Sequence, residues 1–307
     1  MGLFRSKDQY QGYNIYSMKK YVDKKRIIFN MIVAIITIIT LIFVVYYIVD
    51  TSLRLKRTKK YETQIIEYQK EQEEIKKQKE AERQAKIPKL TNEGKENLKH
   101  IYHSENKRAF LTFDDGPSQN TNDILNILKN NNIKATFFVL GSQVEVFPET
   151  TNRIYNEGHY IANHGYSHKY STIYQSPEQI LNEYNQCNQI VANTIKVPEY
   201  NSHLFRFPGG FVGGKYAKIK ADSLPLLEQN NILYVDWNSL TGDSEKVNPT
   251  EEYLMDNLQK TTQAKNSLVI LMHDSQAKRV TVDFLPKVIE YLTQQGYEFD
   301  NFYSVIK

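Results

Sequence analysis

At 307 residues the chain is long enough for one sizeable domain with additional segments, and 40% hydrophobic with 24% charged residues is ordinary for a globular protein. A net charge of +4 over this length gives no support to a nucleic-acid partner, which calls for a concentrated basic face. The single cysteine, Cys187, excludes an intrachain disulfide and leaves the compartment open.

Residues 1–26 are polar and basic, ending in KKYVDKKR, and are expected to form a cytoplasmic segment. Residues 27–49, IIFNMIVAIITIITLIFVVYYIV, carry no charge; Asn30, Thr37 and Thr40 are their clearly polar side chains. A bilayer takes about 20 such residues as a helix. A core helix is seldom apolar all round, so a transmembrane helix is expected. The following VVYYIVDTSLRLK lacks a small-residue cleavage pattern, which favours an uncleaved anchor over a signal peptide. Basic residues flank both ends, Lys19, Lys20, Lys24, Lys25 and Arg26 against Arg54, Lys56, Arg57, Lys59 and Lys60. The expected orientation is N-terminus inside, although the positive-inside rule is nearly balanced.

Residues 50–104 are expected to be a charged helical stalk and linker. Opposite charges recur three or four residues apart, and no proline intervenes before Pro88. Ile65, Ile66 and Ile75 are too few for a coiled-coil seam, so a solvated stalk fits better than a zipper. Pro88 and the run Thr91–Gly94 mark its expected end.

From residue 105 to 307 the texture becomes that of an α/β domain. Short β-rich runs at 109–113, 135–140, 159–163, 204–207, 232–237, 268–272 and 297–302 alternate with helical segments. Such alternation predicts about seven parallel strands covered by helices. It leaves a barrel and an open sheet as alternatives.

Unusual polar residues follow five of these runs: Asp114-Asp115-Gly116, His164 with His168, Arg206 before Pro208-Gly209-Gly210, Asp236-Trp237, and His273. Sites in α/β folds form at the C-terminal ends of strands, so one convergent site is the simplest reading. Each group has a plainer alternative: a surface histidine pair, an Asp-Gly turn, a surface arginine salt bridge, a satisfied core histidine, a packed tryptophan. Two histidines and one carboxylate make a catalytic zinc set. One aspartate can then ligate the metal while its neighbour serves as general base for the attacking water. Arg206 would orient a carboxylate. His273 would be a general acid, with Asp236 available to hold its ring. Asp243 and Asp274 are expected to be turn or cap residues.

The motifs TFDDGP, NHGYSH, FRFPGG, VDWNS and ILMH, in this order, resemble those of the polysaccharide deacetylase family, also called NodB-homology or carbohydrate esterase 4. The resemblance covers about residues 105 to 305. It implies a distorted (β/α) barrel, a divalent metal, usually Zn2+, and hydrolysis of N-acetyl groups on a β-linked amino-sugar polymer. By position it implies Asp114 as general base, Asp115, His164 and His168 as metal ligands, and Arg206 as the arginine that holds the base. It further implies Gly209 as a backbone oxyanion donor, His273 as general acid with Asp236 as its paired carboxylate, and Trp237 and Leu271 as walls of the acetyl pocket. The sequence departs at Gly165, where a hydroxyl residue is usual, and at Arg-Phe-Pro-Gly-Gly, where Arg-Pro-Pro-Tyr-Gly is usual. Anchor, stalk and deacetylase domain together imply a single-pass protein of the cell membrane facing the cell wall. Peptidoglycan N-acetylglucosamine is the first expected substrate. Exported poly-N-acetylglucosamine or chitin-like chains come next, then acetylated xylan; a sugar-binding homologue without catalysis is the other class. No protein partner is implied.

Overall fold

The computed structural model describes residues 15–306. Residues 1–14 of the expected basic segment therefore lie outside the described residues. Contacts divide the chain into two compact units, one ending at Lys79 and the other beginning at Glu80.

Helix α1 (Ile15–Ala85) supplies the described part of the first unit. Its apolar side chains from Ile27 to Val49 are exposed. The hydroxyls of Thr37 and Thr40 donate to the carbonyls of Val33 and Thr37, both at 2.8 Å, so these polar groups are satisfied within the helix. This is what a lipid-exposed helix requires. Beyond it, ion pairs Asp50–Arg54 and Glu73–Lys77 at i, i+4 match the charge pattern of a solvated helix.

In the second unit the last turn of α1 and helix α2 (Asn92–Lys99) pack on the α/β domain. Arg83 donates to the Lys196 carbonyl at 2.9 Å, Lys86 to that of Asn156 at 3.0 Å, and the Tyr303 hydroxyl to that of Lys86 at 2.6 Å. Gly94 lies so close to Ile306 that a Cβ would fall 2.9 Å from its Cα. Residues 80–104, expected to be stalk and linker, thus belong to the compact unit.

The sheet is formed by β1 (Arg108–Asp114), β2 (Thr136–Val139), β3 (Tyr160–Asn163), β4 (Leu204–Phe205), β5 (Leu233–Tyr234), β6 (Ser239–Leu240), β7 (Ser267–His273) and β8 (Glu298–Asp300). Every pairing is parallel, in the order β5-β4-β3-β2-β1-β7-β6, with β8 beside the first half of β1. The result is an α/β half-barrel of seven strands in line, with β8 as an eighth strand beside β1. Helices α3 (Gln119–Asn130), α4 (Gly141–Val146), α5 (Pro148–Asn156), α6 (Tyr170–Ile173), α7 (Pro177–Thr194), α8 (Ala217–Gln229), α9 (Glu251–Thr262) and α10 (Arg279–Gln294) lie between the strands in sequence.

Period-two alternation decides which side chains face the barrel interior. In β1, Ala109, Leu111 and Phe113 join the cluster that includes α3 and α10, while Phe110 joins the interior cluster. In β7, Leu268, Ile270 and Met272 face the same helices and Val269 faces inward. Asp114 and His273 continue the inward rows of two neighbouring strands and are register partners.

Of the run 232–237, expected to be one strand, only Leu233–Tyr234 joins the sheet, and the next strand begins at Ser239. β5 and β6 lie at opposite ends of the strand order, and residues 235–238 cross the seam between them. The crossing is fixed on both sides: Val235 N–H donates to the Phe205 carbonyl at 3.0 Å and Asn238 N–H to that of Val269 at 3.1 Å.

Candidate active site

The Asp115 carboxylate lies between two imidazoles. Its Oδ1 is 3.4 Å from His164 Nε2 and 3.3 Å from His168 Nε2, and it is buried without a hydrogen-bond partner among the described residues. One ligand atom from each of the three residues falls within 4.8 Å of the others. His164 Nδ1 is 2.7 Å from the Arg206 carbonyl, so it carries the proton and leaves Nε2 with a free lone pair. Burial works to raise the Asp115 carboxyl, but His164, His168 and His273 together hold it well below the usual range. Burial and His164 lower the His168 imidazole against the pull of Asp115 and Asp114, which favours its neutral, ligating form. An orphaned buried acceptor facing two imidazoles, that of His164 with its tautomer set by the Arg206 carbonyl, fits a divalent cation, and the N2O donor set is one that zinc takes.

Backbone geometry aims these ligands. Asp115 and His168 have φ of 72° and 54°, in the left-handed region that few side chains adopt, and Gly165 has φ of 86°. The loop 165–168 is held by Glu183 of α7. Its carboxylate accepts from Tyr166 N–H at 2.8 Å, Ser167 N–H at 2.7 Å and the Ser167 hydroxyl at 2.8 Å. The loop that begins at Gly165 is thus steadied by a buried carboxylate from another element. The turn after Asp115 is held by Asp274. A Cβ on Gly116 would collide with its carboxylate, and Asp274 N–H donates to the Asp114 carbonyl at 3.0 Å. Burial pushes the Asp274 carboxyl up to about 7, even though it accepts a hydrogen bond from Thr121 at 2.6 Å.

Asp114 is nearly fully buried, and its Oδ1 accepts from Arg206 Nη1 at 2.8 Å. The guanidinium of Arg206 has no solvent exposure. It also donates to Thr112 Oγ1 and to the carbonyls of Val235 and Asp236, and it stacks 3.9 Å from the Phe138 ring centre. Asp114 is therefore fixed in orientation beside the three-residue cluster, with Oδ2 4.0 Å from His164 Nε2.

His273 is held by Asp243, which corrects the expected pairing with Asp236. Asp243 Oδ1 lies 2.9 Å from His273 Nδ1, while Oδ2 accepts from His273 N–H and Thr281 Oγ1, each at 2.7 Å. The cause is the seam. β6 pairs with β7 in the register Leu240 to Leu271, so the chain leaving β6 runs beside the end of β7 and brings Asp243 within reach of His273. Asp236 lies within the crossing, before β6 begins, and its carboxylate accepts instead from Phe211 N–H at 2.9 Å. It anchors the Pro208–Phe211 turn. Burial lowers the tendency of His273 to protonate, but the hydrogen bond and charge of Asp243, with Asp114 and Asp115, outweigh it and raise the imidazole to about 9.

Asp114, Asp115, His164, His168, Gly209, Trp237, Leu271 and His273 line one cavity of about 400 Å³. A larger cavity of about 530 Å³, lined by Tyr102, Tyr234 and Asp236, shares Trp237 as a wall, but the histidine–aspartate cluster opens onto the smaller one. Gly209 and Gly210 both have positive φ, 76° and 75°, and each faces an aromatic side chain: Tyr170 and Trp237. The Gly209 N–H makes no hydrogen bond to the described residues.

A family model described as polysaccharide deacetylase matches residues 102–224. YheN of Bacillus subtilis is 32% identical over 210 residues, 66% of this chain and 70% of that one. A peptidoglycan-N-acetylglucosamine deacetylase of Bacillus cereus is 32% identical over 203 residues, covering 65% and 71%. The chain belongs to the polysaccharide deacetylase family. The fold agrees: the crystal structure of the catalytic domain of a peptidoglycan N-acetylglucosamine deacetylase from Eubacterium rectale superposes with a TM-score of 0.59 at 30% identity, over 65% of this chain and 90% of that one.

Sequence reading of this polysaccharide deacetylase missed Asp243, Glu183 and Tyr170. The signal for Asp243 was the strand register, which places it beside His273 once β6 is recognised as a separate strand. Glu183 and Tyr170 sit on helices whose docking carries no local sequence mark.

Proposed function

We propose that the protein is a metal-dependent hydrolase that removes N-acetyl groups from N-acetylglucosamine residues of a cell-wall polysaccharide, peptidoglycan first. The observation that carries this reading is the orphaned Asp115 Oδ1 facing two Nε2 atoms, on one cavity with an arginine-held aspartate and an aspartate-held histidine. Asp115, His164 and His168 would hold the cation, zinc by its donor set. When bound it supplies a Lewis acid that polarises the acetyl carbonyl and eases deprotonation of water.

The remaining chemistry belongs to the chain. Asp114 removes a proton from the attacking water, whose oxygen bonds to the acetyl carbon. Arg206 keeps the carboxylate aimed. The Gly209 N–H faces the oxygen that gains charge, and one such donor is typically worth on the order of a hundredfold or more in rate. His273, protonated at neutral pH, gives its Nε2 proton to the nitrogen as the C–N bond breaks, so that acetate and a free amine leave. Trp237 and Leu271 wall the acetyl group and exclude water.

Residues 27–49 anchor the chain in the cell membrane, with the catalytic unit outside, facing the wall. Relatives named as peptidoglycan-N-acetylglucosamine deacetylases support the choice of polymer. The test is acetate release by the full chain in detergent from peptidoglycan and from N-acetylglucosamine oligomers. Chelator should abolish release and zinc should restore it. No acetate from either substrate with folded, zinc-loaded protein would overturn the proposal.

A further inference from the structure

We propose that Tyr170 is a substrate-binding residue of the deacetylase site, and that Gly209 is a glycine because the Tyr170 hydroxyl occupies the space a side chain there would need. The inference rests on the deacetylase reading of the cavity and goes on to name what grips the sugar. Tyr170 opens α6 and lines the cavity together with His168, Gly209 and His273. A Cβ built on Gly209 would collide with the Tyr170 hydroxyl and lie 3.1 Å from Cζ. With φ of 76°, position 209 disfavours any side chain on torsional grounds as well. The wall of the cavity beside the free Gly209 N–H is therefore made by a phenol delivered from another element.

The ring is held firmly. It packs 5.6 Å from the His168 ring, 5.7 Å from Tyr174 and 6.3 Å from Tyr216, and Tyr174 in turn donates its hydroxyl to the Pro208 carbonyl at 2.7 Å. The hydroxyl is different. The phenols of Tyr160, Tyr174, Tyr184 and Tyr200 all have hydrogen-bond partners, whereas that of Tyr170 has none among the described residues, and the residue is 40% exposed. A fixed ring with an unused donor at the mouth of a catalytic cavity suits a ligand rich in hydroxyl and acyl oxygens with an apolar ring face. An amino sugar is such a ligand.

Steady-state kinetics of the full chain in detergent on the N-acetylglucosamine tetramer test this, with wild type, Tyr170→Phe and Tyr170→Ala. Losing one neutral hydrogen bond in Y170F should raise KM about five- to tenfold with kcat within about twofold, the signature of lost uniform binding. Y170A should raise KM further, since the ring face is lost too. Zinc affinity by chelator competition should be unchanged in Y170F. An unchanged KM, or a loss explained by weaker zinc binding through His168, would overturn the proposal. Calorimetry with the tetramer separates the two readings. Tyr170-dependent binding without wild-type turnover would sink the deacetylase reading alone; equal affinity of wild type and Y170F would sink this one.

Discussion

Asp243→Asn removes one charge from the carboxylate that holds the His273 ring. The imidazole stands at about 9 against an ordinary 6.5, and burial alone would have pushed it down. Asp243 and the two cavity aspartates therefore provide all of the increase. At pH 7 a group at about 9 is about 99% protonated; with burial offsetting what Asp114 and Asp115 still contribute in the variant, a group back at about 6.5 is about a quarter protonated. At pH 8.5 the corresponding fractions are about three quarters and about 1%. If His273 acts as the acid, the variant should lose about fourfold at pH 7 and about eightyfold at pH 8.5 from protonation alone. Any loss from ring misorientation adds to both equally. The sign follows from the direction of the shift: a raised imidazole keeps its proton up to its folded pKa, so the alkaline limb of kcat/KM moves to lower pH in the variant. The assay is kcat/KM for acetate release from pH 6 to 10, with zinc content and thermal midpoint measured in parallel because Asp243 also accepts from Thr281. A ratio of wild type to variant that stays flat between pH 7 and 8.5 would refute the acid assignment.

Three further outcomes follow from the same geometry. Asp114→Asn keeps an oxygen for Arg206 but cannot take a proton; turnover should fall about 10²- to 10⁴-fold with zinc affinity nearly unchanged, and near-normal turnover would exclude Asp114 as base. Glu183→Gln disturbs the loop that carries His164 and His168. Zinc affinity by chelator competition should drop about 10- to 100-fold, and wild-type affinity would show that the loop holds itself. Gly116→Ala forces a methyl group against the Asp274 carboxylate and should cost about 1–3 kcal/mol in denaturant unfolding. Partial recovery in the double variant with Asp274→Ala would tie the loss to that contact.

Much of the site was legible because it obeys the strand period. Asp114 and His273 end runs whose alternate residues face opposite sides, so both could be assigned to strand ends and to one cavity from sequence. Asp236 was misread for a physical reason. ILYVDW has the composition of one strand, yet its last residues leave the sheet to cross the seam, and composition does not record where a half-barrel fails to close. Asp243 then looks like a turn residue, because its partner is defined by the pairing of β6 with β7. The Gly165 loop posed the same kind of problem: what steadies it comes from Glu183, on a helix beyond the next turn. The extent of the compact unit was hidden as well. Residues 80–104 have a stalk's charge pattern, but Arg83 and Lys86 spend their charges on carbonyls of the α/β domain.

The buried arginine links the closure of the half-barrel to its chemistry. A guanidinium without solvent contact is tolerated only when its donors are satisfied and a counter-charge is near. Arg206 meets this with Asp114 on one side and the Val235 and Asp236 carbonyls of the crossing segment on the other. Asp236 meanwhile fixes Phe211 N–H, and with it the turn that presents Gly209. The segment that spans the seam therefore positions Asp114, the proposed base, through Arg206, and Gly209, the proposed oxyanion donor, through Asp236, and it carries Trp237 into the cavity wall. The carboxylate that sequence reading assigned to His273 instead orders the Pro208–Phe211 turn. Its loss should consequently misplace Gly209 while leaving the pH response of His273 intact, which separates Asp236 from Asp243 by function as well as by position.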